Sequence, residues 1–209
     1  MTDFSTPCCK KSLLSFVARL LVISFMLATS MAHAQVATDI TQLRLERADD
    51  EWQISAQLQF EMPPVVEEAL LKGIPMVFVY SADVLRERWY WYDKKVLGAE
   101  RQMRLAYQPL TRRWRLNVGA GPAFSSGVGL ALNQSFDSLA QALSAIKRVA
   151  KWKIADSADL DSNTKYKLDF RFRLDLGQLP RPFQIGALGQ SDWDISATAV
   201  TALVAENGK

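Results

Sequence analysis

In a chain of 209 residues, 49% apolar side chains suffice to close a core, and 25 basic groups against 22 acidic ones leave no field strong enough to recruit a polyanion. Both cysteines, Cys8 and Cys9, and the single histidine, His33, lie within the first 34 residues. Without that segment, 175 of the 209 residues remain with neither thiol nor imidazole, which excludes disulfide staples, zinc sites of the usual N/S kind, a cysteine nucleophile and any Ser-His-Asp triad.

Residues 1–34 have the layout of an export signal. Lys10, Lys11 and Arg19 are the positive flank, Leu20 to Ala28 the apolar stretch, and Ala32-His33-Ala34 an A-x-A site with cleavage expected before Gln35. The apolar run ends within about 13 residues of Arg19, short of the roughly 20 that a spanning helix needs. The expectation is therefore a cleaved signal and a periplasmic or secreted product; the alternative is an uncleaved segment anchoring the chain to the inner membrane. Cys8 and Cys9 precede the apolar stretch, so neither lies where a lipoprotein acceptor would. Losing Lys10, Lys11, Arg19 and Asp3 leaves 22 basic and 21 acidic residues. Residues 35–209 have the length of one domain, which buries about 70% of its unfolded surface and is stable without staples.

Ile40 to Arg47 and Glu51 to Met62 form two expected strands around Ala48-Asp49-Asp50, the second with Trp52, Ile54, Ala56, Leu58, Phe60 and Met62 on one face. Pro63-Pro64 stops it. Val65 to Lys72 is a short helix, with Glu67 and Glu68 at its positive end and Gly73 placed as a C-terminal cap. Pro75 to Trp91 is expected to be one long strand, apolar on both faces as far as Val79 and so central in its sheet. Ala99, Met103, Leu105 and Tyr107 share the face of the next strand, Pro109-Leu110-Thr111 turns the chain, and Trp114, Leu116 and Val118 alternate again. The three segments predict a meander.

Gly119 to Gly129 is a glycine-rich loop. A helix follows, capped by Ser135 or Asp137, with Leu139, Leu143 and Ile146 on its apolar face and Lys147 and Arg148 at its negative end. Trp152 and Ile154 belong to a short strand, and Asp156 to Thr164 is a polar loop. Tyr166 to Leu176 carries the clearest pattern in the chain. Tyr166, Leu168, Phe170, Phe172, Leu174 and Leu176 alternate with Lys167, Asp169, Arg171, Arg173 and Asp175, the signature of a half-buried antiparallel strand with its charges toward water. Leu179-Pro180-Arg181-Pro182 ends it, Trp193, Ile195 and Ala197 make a last strand, and the chain after about Thr198 is expected to be an unstructured tail. Eight or nine short strands with one or two short helices predict a mainly β protein, an antiparallel β-sandwich of the immunoglobulin-like or a similar Greek-key kind.

RWYWYD (Arg88 to Asp93), LTRRWRL (Leu110 to Leu116), SFDSLAQAL (Ser135 to Leu143), FRLDLGQLPRPFQ (Phe172 to Gln184) and WDI (Trp193 to Ile195) together resemble the bacterial family catalogued as domain of unknown function 4390. The resemblance covers nearly all of the chain after the signal. It implies an exported β-rich domain, often encoded beside a membrane sensor kinase, and it carries over no catalytic residue.

Among features that could bear chemistry, Arg86 to Lys95 is the most conspicuous, because aromatic rings interleave with cations. On a strand, Trp89 and Trp91 face one way and Tyr90 and Tyr92 the other, so one pair at most forms a platform for a sugar ring or a partner while the other packs inward. Between Arg86 and Arg115 there are nine basic residues and three acidic ones, a surface suited to an acidic partner or anionic headgroups. Arg88, Trp89, Trp91, Arg112, Arg113 and Trp114 are the candidate binding residues. Asp159, Asp161 and Asn163 have the spacing of the first ligands of a calcium loop, but Thr164 and Phe170 stand where glycine and the bidentate glutamate belong. The glycine loop lacks the third glycine of a dinucleotide fingerprint and the lysine of a phosphate loop. Ser144-Ala-Ile-Lys147 and Ser162-Asn-Thr-Lys165 satisfy S-x-x-K without its companion motifs. Asp192 and Asp194 would share one strand face.

The composite expectation is an exported, non-enzymatic binding module without metal or cofactor. Its partner is an envelope protein or membrane sensor, not a nucleic acid, and it touches the membrane only through an uncleaved leader. Two alternatives stay open: a carbohydrate-active hydrolase using two carboxylates, and a lipid or ligand carrier with a cavity between its sheets.

Overall fold

A computed structural model describes residues 38–48, 50–90, 92–121, 132–160, 164–187 and 189–203, so the expected export signal lies outside the described residues. Among the described residues, nine strands fall into two antiparallel sheets. The smaller has the order β1 (Asp39–Ala48), β2 (Glu51–Gln59), β7 (Arg148–Asp156). The larger runs β6 (Leu132–Phe136), β5 (Arg113–Ala120), β4 (Lys94–Gln108), β3 (Met76–Arg86), β8 (Tyr166–Leu174), β9 (Ser196–Leu203). This is the β-sandwich that the alternation predicted.

Side-chain period explains the layers. Ile54, Ala56, Leu58 and Phe60 from β2 and its end face Phe78, Tyr80, Ala82 and Val84 of β3 and Leu168, Phe170 and Phe172 of β8, all buried. Phe172 is the hub of this interior, with ring centroids 4.9 Å from Tyr80, 5.3 Å from Phe60 and 5.8 Å from Phe78. Fully burying one such ring contributes about 1.5–3 kcal/mol. The other face of β3 also hides Val77 and Val79, as its position between β4 and β8 demands.

The chain crosses between sheets through helices. α1 (Pro64–Leu71) starts on a proline that costs no hydrogen bond there and stops at Gly73, whose φ of +85° closes the turn. The Gly73 amide donates to Leu70 and that of Ile74 to Ala69, the paired bonds that use up the last carbonyls. α2 (Leu139–Lys147) leads from β6 back to β7; its cap is Ser138, whose hydroxyl accepts from the Gln141 amide, rather than Ser135 or Asp137. Ser135 lies in β6, and Asp137 is held by Arg113.

Four further expectations are corrected. The long strand ends at Arg86, not Trp91, because the register of β3 with β4 closes at Arg86 opposite Lys94 and leaves Glu87 to Asp93 as the connection. A third helix, α3 (Arg181–Ala187), begins within the residues read only as a stop, since Pro182 suits a first helical turn. Trp193 is buried but belongs to a 3-10 turn, Ser191–Trp193, and strand pairing begins at Ser196. The expected tail belongs, as far as Leu203, to the edge strand β9, paired along β8 from Arg173 opposite Ser196 to Tyr166 opposite Leu203; residues 204–209 lie outside the described residues.

β8 departs from its pattern once. Asp169, assigned to water, is 8% exposed, opposite Asp83 of β3. Like charges face to face destabilise a sheet unless cations intervene. Lys95 Nζ lies 2.6 Å from Asp83, and the Arg171 guanidinium, its Nε 3.1 Å from Asp169 Oδ1, folds back along the strand. Those bonds, and the Asp169 charge after them, hold the Arg171 pKa above its ordinary value.

Candidate functional site

The structure does not gather the six candidate residues. Arg88 and Trp89 lie in the β3–β4 connection, and Trp91 lies outside the described residues. Arg112 is in the β4–β5 turn at φ +52°, while Arg113 and Trp114 open β5. Between the two groups runs β4, 15 residues long. At about 3.3 Å per residue, that places them about 45–50 Å apart at opposite ends of the sheet.

The two ends differ in kind. At the β5 end, Trp114 is 5% exposed with its ring centroid 4.9 Å from Tyr107, so it is core and not a platform. Arg113 is committed to Asp137, with Nη2 and Nε 2.9 and 3.1 Å from the same carboxylate oxygen. Elsewhere in the basic stretch, Lys95 is taken by Asp83, and Arg101 points inward, its guanidinium 4.9 Å from the Trp152 ring. Burial pulls the Arg101 pKa down, only partly opposed by Tyr80.

At the β3–β4 end the rings stand in water. Trp89 is 93% exposed, Tyr90 71% and Tyr92 90%, so no pair of rings packs inward. Trp89 and Tyr90 meet edge to face at 5.1 Å, a geometry that aromatic quadrupoles favour and that braces the apex. The base of the connection is tied down. The Glu87 amide donates to the Lys165 carbonyl at 3.2 Å, and the Arg88 amide to Asp93 Oδ1 at 3.4 Å. Lys167 of β8 reaches both acids, 2.9 Å from Glu87 and 4.0 Å from Asp93. Its ammonium pKa is raised, by the hydrogen bond to Glu87 first and then by the charges of Glu87 and Asp93.

The consequence is a separation of charge along the hairpin. Both carboxylates of the connection are drawn to its base by Lys167, whereas Arg86, Arg88, Lys94 and Lys165 have no carboxylate within 4.0 Å among the described residues. Arg86 to Tyr90 line an open hollow of about 750 Å³ beside the rings. Exposed amphipathic rings with uncommitted cations can stack, insert or dock.

The remaining motifs carry no assembled chemistry. Asp159 serves as a turn cap, accepting from the Asp156 amide at 3.1 Å, while Asp161 and Asn163 lie outside the described residues. No group of three His, Cys, Asp or Glu side chains converges among the described residues. Ser144 donates to the Ala140 carbonyl at 2.8 Å within α2, and Ser162 of the second S-x-x-K lies outside the described residues; of the expected glycine loop, Gly119 and Ala120 end β5 and residues 122–129 lie outside the described residues. Asp192 and Asp194 belong to the 3-10 turn and its end rather than to a strand, and Asp194 accepts from the Ser196 hydroxyl at 2.7 Å. The facing carboxylates Asp83 and Asp169, which the sequence did not single out, are each held by a cation. A second hollow, about 630 Å³, opens between the smaller sheet and α2, lined among others by Gln42, Arg44, Leu58, Ser144, Lys147 and Arg148, where β1 and β7 both shift register against β2. No helix among the described residues is long and apolar enough to cross a membrane.

The family described as Domain of unknown function (DUF4390) matches residues 36–202, and the chain belongs to that family. No curated protein and no solved structure matches it.

Proposed function

We propose that this member of a family whose description assigns no activity is an exported, non-enzymatic module that docks on a component of the cell envelope through the tip of its β3–β4 hairpin. The observation that carries the reading is the exposure of three large rings, Trp89, Tyr90 and Tyr92, at one apex. Monomeric proteins rarely present clustered apolar groups to water without a use for them. The signal-like layout of residues 1–34 supports the compartment, and an auxiliary role toward a membrane sensor fits the resemblance. Arg112, Arg113 and Trp114 drop out of the docking element, because β4 holds them at the far end.

The test is a photo-crosslinking residue placed at Trp89 in one variant and at Leu110 in another, in cells that make the protein. Leu110 is fully exposed at the opposite turn and is the control. Adducts to envelope material at position 89 and not at 110 are expected. Equal labelling at the two positions, or none at 89, overturns the proposal.

A further inference from the structure

We infer that the docking component is the bilayer itself, and that the β3–β4 tip lodges its rings in the interfacial zone of an anionic lipid surface; this rests on the hairpin being the docking element. Three features of the tip point to lipid rather than to a protein groove.

The first is chemical. Indole and phenol rings have an apolar body with a polar edge, and they concentrate at the membrane–water boundary for that reason. Trp89, Tyr90 and Tyr92 supply three such rings, each at least 71% exposed.

The second is electrostatic. Lys167 draws Glu87 and Asp93 back toward β8, so the apex is not screened by its own carboxylates. Arg86, Arg88, Lys94 and Lys165 flank it without acidic partners among the described residues. Rings at the apex with cations behind them match the order in which a bilayer is met from outside: anionic headgroups surround the base once the rings reach the boundary. Each basic residue near such a surface raises affinity about fivefold.

The third is shape. A stable protein interface buries about 1,200–2,000 Å² and seats its anchors in complementary pockets. The tip is a seven-residue connection, Glu87 to Asp93, beyond the last strand pair at Arg86 and Lys94, a short segment rather than an extended face with pockets for a partner's anchors. A bilayer demands no such complementarity. The β4–β5 turn makes the contrast: Leu110 is exposed there, but the nearby Trp114 is buried and Arg113 is neutralised by Asp137.

The experiment is co-sedimentation of residues 36–209, a compact unit that contains every buried core residue, with vesicles of phosphatidylcholine alone and of phosphatidylcholine mixed with phosphatidylglycerol. The wild-type unit is expected to bind the anionic vesicles at least tenfold more tightly than the neutral ones, and less tightly as salt is raised. Trp89→Ser/Tyr90→Ser/Tyr92→Ser should lose about tenfold or more on both. Arg86→Gln/Arg88→Gln/Lys94→Gln should lose the preference for the anionic lipid while keeping the residual binding. All the substituted residues are exposed, so an unchanged urea midpoint separates loss of binding from loss of fold. Equal binding by wild type and both variants overturns the inference. If no vesicle binds but the crosslinker at position 89 labels a discrete envelope protein, the lipid assignment falls and the docking role stands. If neither occurs, both fall.

Discussion

The hydroxyl of Tyr80, in the middle of β3, donates a hydrogen bond to the backbone carbonyl of Ile146 in the last turn of α2, joining elements 66 residues apart. It satisfies a carbonyl that a helix end leaves without a partner, inside a core where a missing donor costs about 1–3 kcal/mol. Tyr80→Phe should therefore lower unfolding stability at neutral pH by about that amount, read from urea denaturation.

The same phenol gives the fold an alkaline limit. Burial pushes the Tyr80 pKa far above its ordinary value, and Arg101 offsets this only in part. A group whose pKa is raised on folding contributes its full stabilisation below the unfolded value and loses it as pH climbs beyond. Stability should be level with respect to this residue up to about pH 10 and fall above it. The Phe variant should start lower and fall less steeply; equal slopes in urea titrations at rising pH would refute the assignment.

Phe172 touches rings from both sheets, so truncating it opens a cavity that neither sheet can close alone. Phe172→Ala should cost about 3–5 kcal/mol, and the urea midpoint should drop accordingly.

Trp89 and Trp114 look alike in sequence, each directly preceded by an arginine, but they are opposites in the fold. Trp114→Ala should destabilise by about 3–5 kcal/mol because a packed ring is lost. Trp89→Ala should leave stability within about 0.5 kcal/mol of wild type. Thermal midpoints of the two variants measure the contrast directly.

Gly73 ends α1 at a positive φ, and no atom lies near where a side chain would begin. Any loss from Gly73→Ala is thus conformational, about 1–2 kcal/mol, and no compensating change nearby should relieve it. A urea midpoint unchanged by the substitution would show that the turn tolerates the side chain.

Much of this architecture is visible in the alternation of Trp52 to Phe60 and of Tyr166 to Leu174, because a period of two with one apolar face leaves few other conformations. The hairpin tip was hidden by the same rule. RWYWYD continues a strand-like pattern of aromatic and charged residues, with no glycine or proline to mark a turn, and only the pairing of β3 with β4 ends it. Trp114 could have been placed in advance, since it shares a face with Leu116 and Val118. The inward cation was legible as a gap: Arg101 interrupts the apolar set Ala99, Met103, Leu105, and its register partner is Tyr80. β6 and α3 had no distinctive local signal, β6 being a short edge strand with exposed and half-buried residues only, and α3 being masked by its prolines.

The order of strands in the larger sheet also governs when the protein can become itself. β3 finds its inner neighbour only in β8, Arg86 meeting Tyr166 and Phe78 meeting Leu174, while β2 waits for β7. Contact order is consequently high, which belongs to domains folding in milliseconds to seconds rather than microseconds. A nascent chain synthesised as far as β6 has its meander but neither the partner strands nor Phe170 and Phe172, so its rings at Phe60, Phe78 and Tyr80 stay uncovered until the last quarter emerges. Such a polypeptide is prone to aggregate in the interval, and it remains threadable for as long as the interval lasts.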